Sequence, residues 1–418
     1  MVQGGIVLNV DAQRLWQRIQ TLHEIGTTPD GGVSRFSFTA EERAIKDRVT
    51  GFMKDAGLEI REDETGTLIG RREGSEAGLP VVLVGSHLDS VPNGGDFDGP
   101  LGVLAAIEAL AAMKEANVET RHPIEVVAFT DEEGARFRYG MIGSRGIAGT
   151  LTSEELYEHA DANGITVAEA MEQQGLSPAA VRNAARSPED VKGYLELHIE
   201  QGKVLERAEQ PVGIVTGIAG PLWLKFTLEG EAGHAGTTPM PGRRDPLAAA
   251  AEVLLVIERE AGQKERTVGT VGQMTVTPGG VNIIPGRVEF TLDLRDVVEQ
   301  TRDEVEERIL QQAQEICRRR GISLKIDTLQ RVAPVTCDET LQTLMREAAD
   351  ELGLNPPIVV SGAGHDGMQF AGCWPVAMLF ARSKDGISHN PAEYTSQEDC
   401  ATAANVLLGT LLRFANEA

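Results

Sequence analysis

Short apolar runs and longer mixed stretches alternate along the chain, and the changes between them mark elements. Residues 10–24 read as an opening helix. Val81–Gly85 is a short apolar run that reads as a buried strand delivering a loop, Gly85-Ser-His-Leu-Asp-Ser-Val-Pro-Asn-Gly-Gly-Asp-Phe-Asp-Gly-Pro100. Leu101–Met113, rich in Ala and Leu and starting just after Pro100, reads as a helix packed on a sheet. Ile124–Thr130 is a second buried strand, ending in Asp131-Glu132-Glu133-Gly134. Strand, loop, helix, strand is α/β grammar, which puts functional groups at the carboxyl ends of strands.

From Thr152 to about Glu189 the chain is polar and helical without a chemical cluster, and reads as an insertion. Tyr194–Ile199 returns to strand character and carries His198. Between about 213 and 330 the pattern changes to a strand at Trp223–Glu229, a helix at Pro246–Glu260, strands at Thr267–Val276 and Arg287–Arg295, a helix at Val297–Arg319 and a strand at Ile322–Leu329. That order, βαββαβ, is the split ferredoxin-like arrangement. The remaining elements are a helix at 339–352, strands near Ile358–Val360 and at Val376–Phe380, and a closing helix at 396–416. The expected organisation is a larger α/β domain with a mixed sheet (residues 1–212 and 331–418) and an inserted βαββαβ domain (213–330).

Composition narrows the class. At 418 residues and 41% apolar content, two globular domains are expected. A formal charge of −24 disfavours phosphate backbones and anionic membranes, so neither nucleic acid nor membrane is expected as a partner. The N-terminal segment has no basic n-region, and no stretch approaches the roughly 18 uncharged residues of a membrane span. Cys317, Cys337, Cys373 and Cys400 lie far apart, which indicates neither a disulfide framework nor a thiolate zinc site. A cytoplasmic protein with free thiols is expected.

Candidate chemistry gathers at the strand ends. Imidazole nitrogen and carboxylate oxygen suit a borderline or hard divalent cation. In His87-Leu-Asp89, residues two apart face one side of an extended segment, so Asp89 is expected to hydrogen-bond the imidazole from behind. Asp98 comes round the Gly94-Gly95 turn and can reach the same ion. Glu132 and Glu133 are adjacent and can divide roles, one binding metal and the other taking a proton from water. Of eight histidines, His198, His234, His365 and His389 sit in Gly- or acid-rich contexts, whereas His23, His122 and His159 lack them and are expected to be structural. No Gly-x-Ser-x-Gly elbow, no cysteine beside a histidine, no Walker A loop and no Gly-x-Gly-x-x-Gly after a strand is present. Metal-assisted hydrolysis remains.

With these residues in hand, the chain resembles the amidohydrolase branch of the M20 metallopeptidase-like family, most of all N-carbamoyl-L-amino acid hydrolases, with allantoate amidohydrolases and β-ureidopropionases nearby. The motifs are Gly85–Pro100, Phe129–Gly143, Glu196–Gly202, Gly233–Met240, Pro278–Pro285, Asp293–Asp296, Ser361–Asp366 and Ser388–Glu393. The resemblance implies two divalent ions (Zn2+, Mn2+, Co2+ or Ni2+), with His87 and His198 on one, Glu133 and His389 on the other and Asp98 bridging. It implies Glu132 as general base. His198 stands where the peptidase relatives usually have an acidic residue, and with Gln201 this points to a ureido substrate.

The inserted unit corresponds to that family's lid and dimerisation domain, which implies a homodimer. His234 would stabilise the oxyanion, from its own or the partner subunit. Asn282 and Arg295 would bind the substrate carboxylate, the alternative for Arg295 being a salt bridge to Asp293 or Asp296. Gln201 and Gly362 would contact the carbamoyl or amino-acid portion. His365-Asp366 fits either a brace or a site contact, and Asp96 is expected to be solvent-facing or a turn former. The expected reaction is hydrolysis of N-carbamoyl-L-amino acids. The alternatives are an allantoate or β-ureidopropionate substrate, a dipeptidase or aminoacylase, and a metal binder without catalysis, which would not need Glu132.

Overall fold

The computed structural model describes residues 2–3 and 6–417 and divides into two units. The first comprises residues 1–216, 337–359 and 365–418; the second comprises 217–336 and 360–364.

Four parallel strands form the centre of the first unit's sheet, in the order Val376–Ala381, Val191–Ile199, Val81–His87, Ile124–Phe129. Antiparallel strands flank them: Val212–Ile218 on one side, Leu68–Arg72 and then Glu59–Glu62 on the other. Every residue of Val81–His87 and Ile124–Phe129 is buried, as expected of strands covered on both faces. The helix Pro100–Glu115 begins with proline at its first turn and is buried through Met113 all round its circumference, so it acts as a core rod beside the sheet. Phe129, Tyr194, Phe370 and Trp374 belong to an apolar cluster with strand residues Val81, Leu83 and Val376.

Two features depart from the expected pattern. A helix at Ala40–Asp55 and the strands Glu59–Glu62 and Leu68–Arg72 fill the stretch before residue 81. The segment from Thr152 to Glu189 is more than a polar insertion. Its short helices Ser153–Glu158 and Val167–Gln173 contribute Leu156, Val167, Ala168, Ala170 and Met171 to an apolar cluster with Phe38, Phe137 and Ile142. Each helix starts with a capping box, Thr152 with Glu155 and Thr166 with Glu169.

In the second unit the antiparallel strand Gly220–Glu229 lies between Arg287–Asp296 and Ser323–Arg331. The outer position beside Arg287–Asp296 is shared by Val268–Thr270 and Met274–Thr277, which the sequence pattern joins into one strand. From Thr270 to Met274 the chain advances four residues while its partner advances three, from Asp293 to Phe290, so one extra residue bulges between them. Helices Pro246–Gly262 and Glu299–Arg320 supply Val253, Ile257, Val305 and Ile309 to a core with Leu224, Phe226, Phe290 and Leu292. Phe226 and Phe290 are paired across the strands and stack at 4.8 Å. No described helix is long and apolar enough to cross a membrane.

Candidate active site

The carboxyl ends of the four parallel strands carry the candidate groups. His87 is the last residue of its strand and lies opposite Phe129; His198 lies opposite Phe380. Three and four residues past Phe129 come Glu132 and Glu133, after Asp131 at φ 57° turns the chain. His389, at φ 54°, follows the fourth strand. Asp98 returns to this level immediately before the helix at Pro100.

Asp98 is the hub. Its Oδ1 lies 3.4 Å from His87 Nε2 and 3.1 Å from His198 Nε2, while Oδ2 lies 3.3 Å from His389 Nε2. Glu133 Oε1 is 3.6 Å from His389 Nε2. Two groups of ligand atoms result, each within 4.8 Å: His87, Asp98 and His198, and Asp98, Glu133 and His389. His198 Nε2 is buried and has no hydrogen-bond partner although Asp98 Oδ1 is close, the orientation of a lone pair aimed at a shared centre rather than at its neighbour. From behind, His87 Nδ1 donates to the main-chain carbonyl of Asp89 at 3.1 Å and His198 Nδ1 to that of Ile199 at 2.9 Å. Both rings are thereby set to offer Nε2 as the ligand atom. Donor chemistry and spacing fit two cation positions sharing Asp98.

The side chains among themselves are electrostatically frustrated. Burial, together with Glu133, Asp366 and Asp89 and against the pull of His87, pushes Glu132 well above the carboxylate range. Burial and Asp98 raise Glu133 to about 7. The Asp98 hydrogen bond raises His389 to about 9 against burial, and His87 is held well above its ordinary value by Asp89 and Asp98 despite burial. Asp98 itself stays well below the usual range, because the surrounding imidazoles outweigh its burial. Carboxylates crowded so closely call for positive charge, and a divalent cation supplies it in place of protons.

Glu132 Oε2 lies 3.9 Å from His87 Nε2, and Glu132 stands beside the two ligand groups without joining either.

Asp89 takes a different place from the one its spacing predicts. Its carboxylate stands 3.6 Å from His87 Nδ1, and the ring bonds the Asp89 carbonyl instead. Oδ1 and Oδ2 accept the backbone N–H groups of Glu132 and Glu133, each at 3.1 Å. A buried carboxylate gains more from two convergent amides than from one imidazole, and the Glu132–Glu133 turn offers both. Asp96 lies in a bend and is half-buried: His23 Nδ1 reaches its Oδ2 at 2.8 Å, and the buried guanidinium of Arg35 lies 3.6 Å from its Oδ1. His23 is structural as expected but has an acidic partner. His122 donates from Nδ1 to Pro80 O at 2.8 Å and accepts at Nε2 from Lys192 Nζ at 3.1 Å, and His159 stacks on Tyr139 at 4.0 Å.

Gln201, at φ 56°, donates from Nε2 to Asp98 Oδ2 at 2.7 Å and to Ser388 Oγ at 3.2 Å, leaving its buried Oε1 without a hydrogen bond. His365 packs edge-on against His198 at 4.5 Å, and Asp366 accepts from Ser144, so this pair lies behind the ligands. Glu196, His198 and His365 form a third close group in that layer.

Two contributors carry no role in the sequence reading. Glu393 Oε1 accepts the N–H groups of Phe97 and Asp98 at 2.9 and 3.0 Å, and the Ser388 hydroxyl lies 2.8 Å from Glu393 Oε2 and 2.9 Å from Asp98 Oδ2. Burial and Asp98 raise Glu393 to about 7. Glu393 and Asp98 are 295 residues apart, and only folding brings them together.

Within the second unit, Gly233–His234 pairs with Ile283–Ile284, and Ala235 N–H donates to Asn282 O at 2.9 Å, so His234 and Asn282 share one ribbon. His234 Nδ1 accepts the N–H groups of Gly236 and Thr237 at 3.0 and 3.1 Å. An acceptor Nδ1 leaves the ring proton on Nε2, pointing away from the turn. Arg295 forks onto Asp293 through Nε and Nη2 at 2.9 and 2.8 Å and donates from Nη1 to Gly362 O at 2.7 Å. Two of its five N–H donors remain for another acceptor.

Residues 83–413 match Peptidase_M20, peptidase family M20/M25/M40. The chain is 57% identical over 406 residues to an N-carbamoyl-L-amino acid amidohydrolase of Geobacillus stearothermophilus, covering 97% of this chain and 99% of that one. It is 37% identical over 399 residues to an allantoate amidohydrolase of Bacillus subtilis, covering 95% and 96%. Among solved structures, a hydantoinase/carbamoylase family amidase of Burkholderia multivorans superposes with a TM-score of 0.92 at 36% identity, covering 98% and 99%. Motifs, fold and relatives agree, and the chain belongs to peptidase family M20/M25/M40.

Proposed function

We propose that this protein hydrolyses the carbamoyl C–N bond of N-carbamoyl-L-amino acids. Water is consumed and the bond from the amino-acid nitrogen to the carbamoyl carbon breaks, giving L-amino acid and carbamic acid, and the remaining C–N bond of the carbamic acid then breaks to give ammonia and carbon dioxide. The observation that carries the reading is the arrangement about Asp98: two nitrogen–oxygen ligand groups sharing one carboxylate, with Glu132 beside them and in neither. The ureido substrate rests on the likeness to the Geobacillus enzyme over nearly the whole of both chains.

Cations held by His87, Asp98 and His198 and by Asp98, Glu133 and His389 would supply Lewis-acid polarisation and a water acidic enough to attack at neutral pH. Glu132 takes the proton from the attacking water and passes it to the leaving nitrogen. His234 donates from Nε2 to the oxyanion that forms on the carbamoyl carbon. Asn282 and the remaining donors of Arg295 bind the substrate carboxylate. Gln201 and the Gly362 turn contact the carbamoyl or amino-acid portion. Asp89 serves catalysis by holding the Glu132–Glu133 turn. We assign the ions to the Zn2+, Mn2+, Co2+ or Ni2+ group, and the working form to a cytoplasmic homodimer joined through the 213–330 domain, as the family resemblance implies.

The test is ammonia release from N-carbamoyl-L-methionine, allantoate and N-carbamoyl-β-alanine, measured side by side on protein stripped by chelation and reloaded with Mn2+, Co2+ or Zn2+. Highest kcat/KM on the N-carbamoyl-L-amino acid supports the reading; preference for allantoate transfers the assignment to the ureide relatives.

A further inference from the structure

We propose that Arg243 is a positioning residue for His234, holding the turn after it so that the imidazole presents an Nε2 donor. The inference deepens the oxyanion role proposed above and rests on it. His234 ends a two-residue strand, and the chain then runs through Ala235-Gly-Thr-Thr-Pro-Met240 with Gly236, Thr237, Pro239 and Met240 exposed. No apolar core fixes this turn, so its shape depends on hydrogen bonds. Thr238 N–H donates to His234 O at 3.2 Å. Arg243 supplies the rest: Nη2 donates to Ala235 O at 2.7 Å and to Thr238 O at 2.5 Å, and Nε donates to Thr238 O at 3.1 Å and Pro239 O at 3.3 Å. Among the described residues no carboxylate pairs with this guanidinium, so its charge is directed to those carbonyls.

The consequence is local and chemical. Fixing the Ala235 carbonyl fixes the peptide plane that carries the Gly236 N–H, and holding the Thr238 and Pro239 carbonyls anchors the far end of the turn that brings the Thr237 N–H to His234 Nδ1 as well. Two donors converging on Nδ1 exclude a proton there and leave it on Nε2. A flat fork reaching several carbonyls is a task for guanidinium rather than for a single-point ammonium. The neighbouring Arg244 faces elsewhere, donating from Nε to Gly321 O at 2.7 Å, and serves as the control.

The experiment uses the full-length protein with 15N-labelled histidine, the His234 signals being assigned by their loss in H234A. Wild type is expected to show Nδ1 unprotonated and Nε2 protonated; R243A is expected to show a mixture of tautomers, and R244A the wild-type pattern. In ammonia release, R243A should lower kcat at least about tenfold with KM within about twofold, and should add nothing in an H234A background, since coupled residues are not additive. Should R243A fail to fold, R243Q, which reaches one carbonyl, carries the same expectations. Wild-type tautomer in the folded variant, or a kcat loss that adds in full to that of H234A, overturns the proposal. The tautomer is read without substrate, so a wild-type protein inactive on every ureido compound would sink the functional reading while leaving Arg243 to be judged by its spectrum.

Discussion

Asp89 Oδ2 accepts the backbone N–H of Glu133 at 3.1 Å, as Oδ1 does that of Glu132, so one carboxylate from the first catalytic loop sets the turn that carries both acidic side chains of the second. Asp89→Asn replaces one acceptor by an NH2 group that faces an N–H and cannot bond it. Charge-assisted bonds of this kind are worth about 1.5–3 kcal/mol. The variant is expected to fold and to lose roughly 10–100-fold in kcat, as loss of an outer orienting group does at metal sites. Steady-state kinetics beside metal content per chain check this.

Gly99 joins Asp98 to the helix at φ 84°, and a Cβ there would stand 2.5 Å from the His87 ring and 2.7 Å from His87 O. Gly99→Ala therefore pushes on a ligand as well as straining the backbone by about 1–3 kcal/mol. The expected outcome is a lower Tm together with less than the wild-type metal content after reloading, read by thermal unfolding and elemental analysis.

The raised values of Glu133, about 7, and His389, about 9, set the direction of a pH effect. Both groups bind a cation only after losing their protons, so both compete with metal below those values. Apparent metal affinity of the stripped protein should rise as pH climbs through 7 and towards 9 and then level. At pH 7 uptake should release roughly one to two protons. Calorimetry of metal binding in buffers of different ionisation enthalpy measures the number directly.

Arg295 is held by Asp293 on one edge and by Gly362 O on another, an arrangement that fixes its plane and leaves two donors. Arg295→Lys keeps the charge and loses the fork. It should raise KM for an N-carbamoyl-L-amino acid about tenfold or more, with kcat much less affected. A change confined to kcat would remove Arg295 from carboxylate binding.

The central strands were legible because they are largely apolar and lead into His, Asp and Glu, while the division of those groups into ligands came from the family resemblance. The helix Ala40–Asp55 was not. Its buried stripe of Ile45, Val49 and Met53 is one residue wide, and it also buries Glu42 and Lys46, which pair with each other at 2.8 Å. The polar stretch after Thr152 hid its apolar positions in short helices for the same reason. At the site, spacing correctly placed Asp89 near His87 but could not show that its carboxylate would find two amides 43 and 44 residues away. Glu393 and Ser388 were hidden by still longer separations. Arg243 sits nine residues after His234, and only the folded turn shows its guanidinium on the intervening carbonyls.

If Glu132 moves the proton while its neighbours hold the cations, Glu132→Gln separates the two roles. Metal content and turnover of an N-carbamoyl-L-amino acid are measured on the same reloaded sample. Wild-type metal content with kcat reduced by about 10²–10⁴, the range of a lost general base, is expected; wild-type turnover at full metal content would rule out Glu132 as the group that moves the proton.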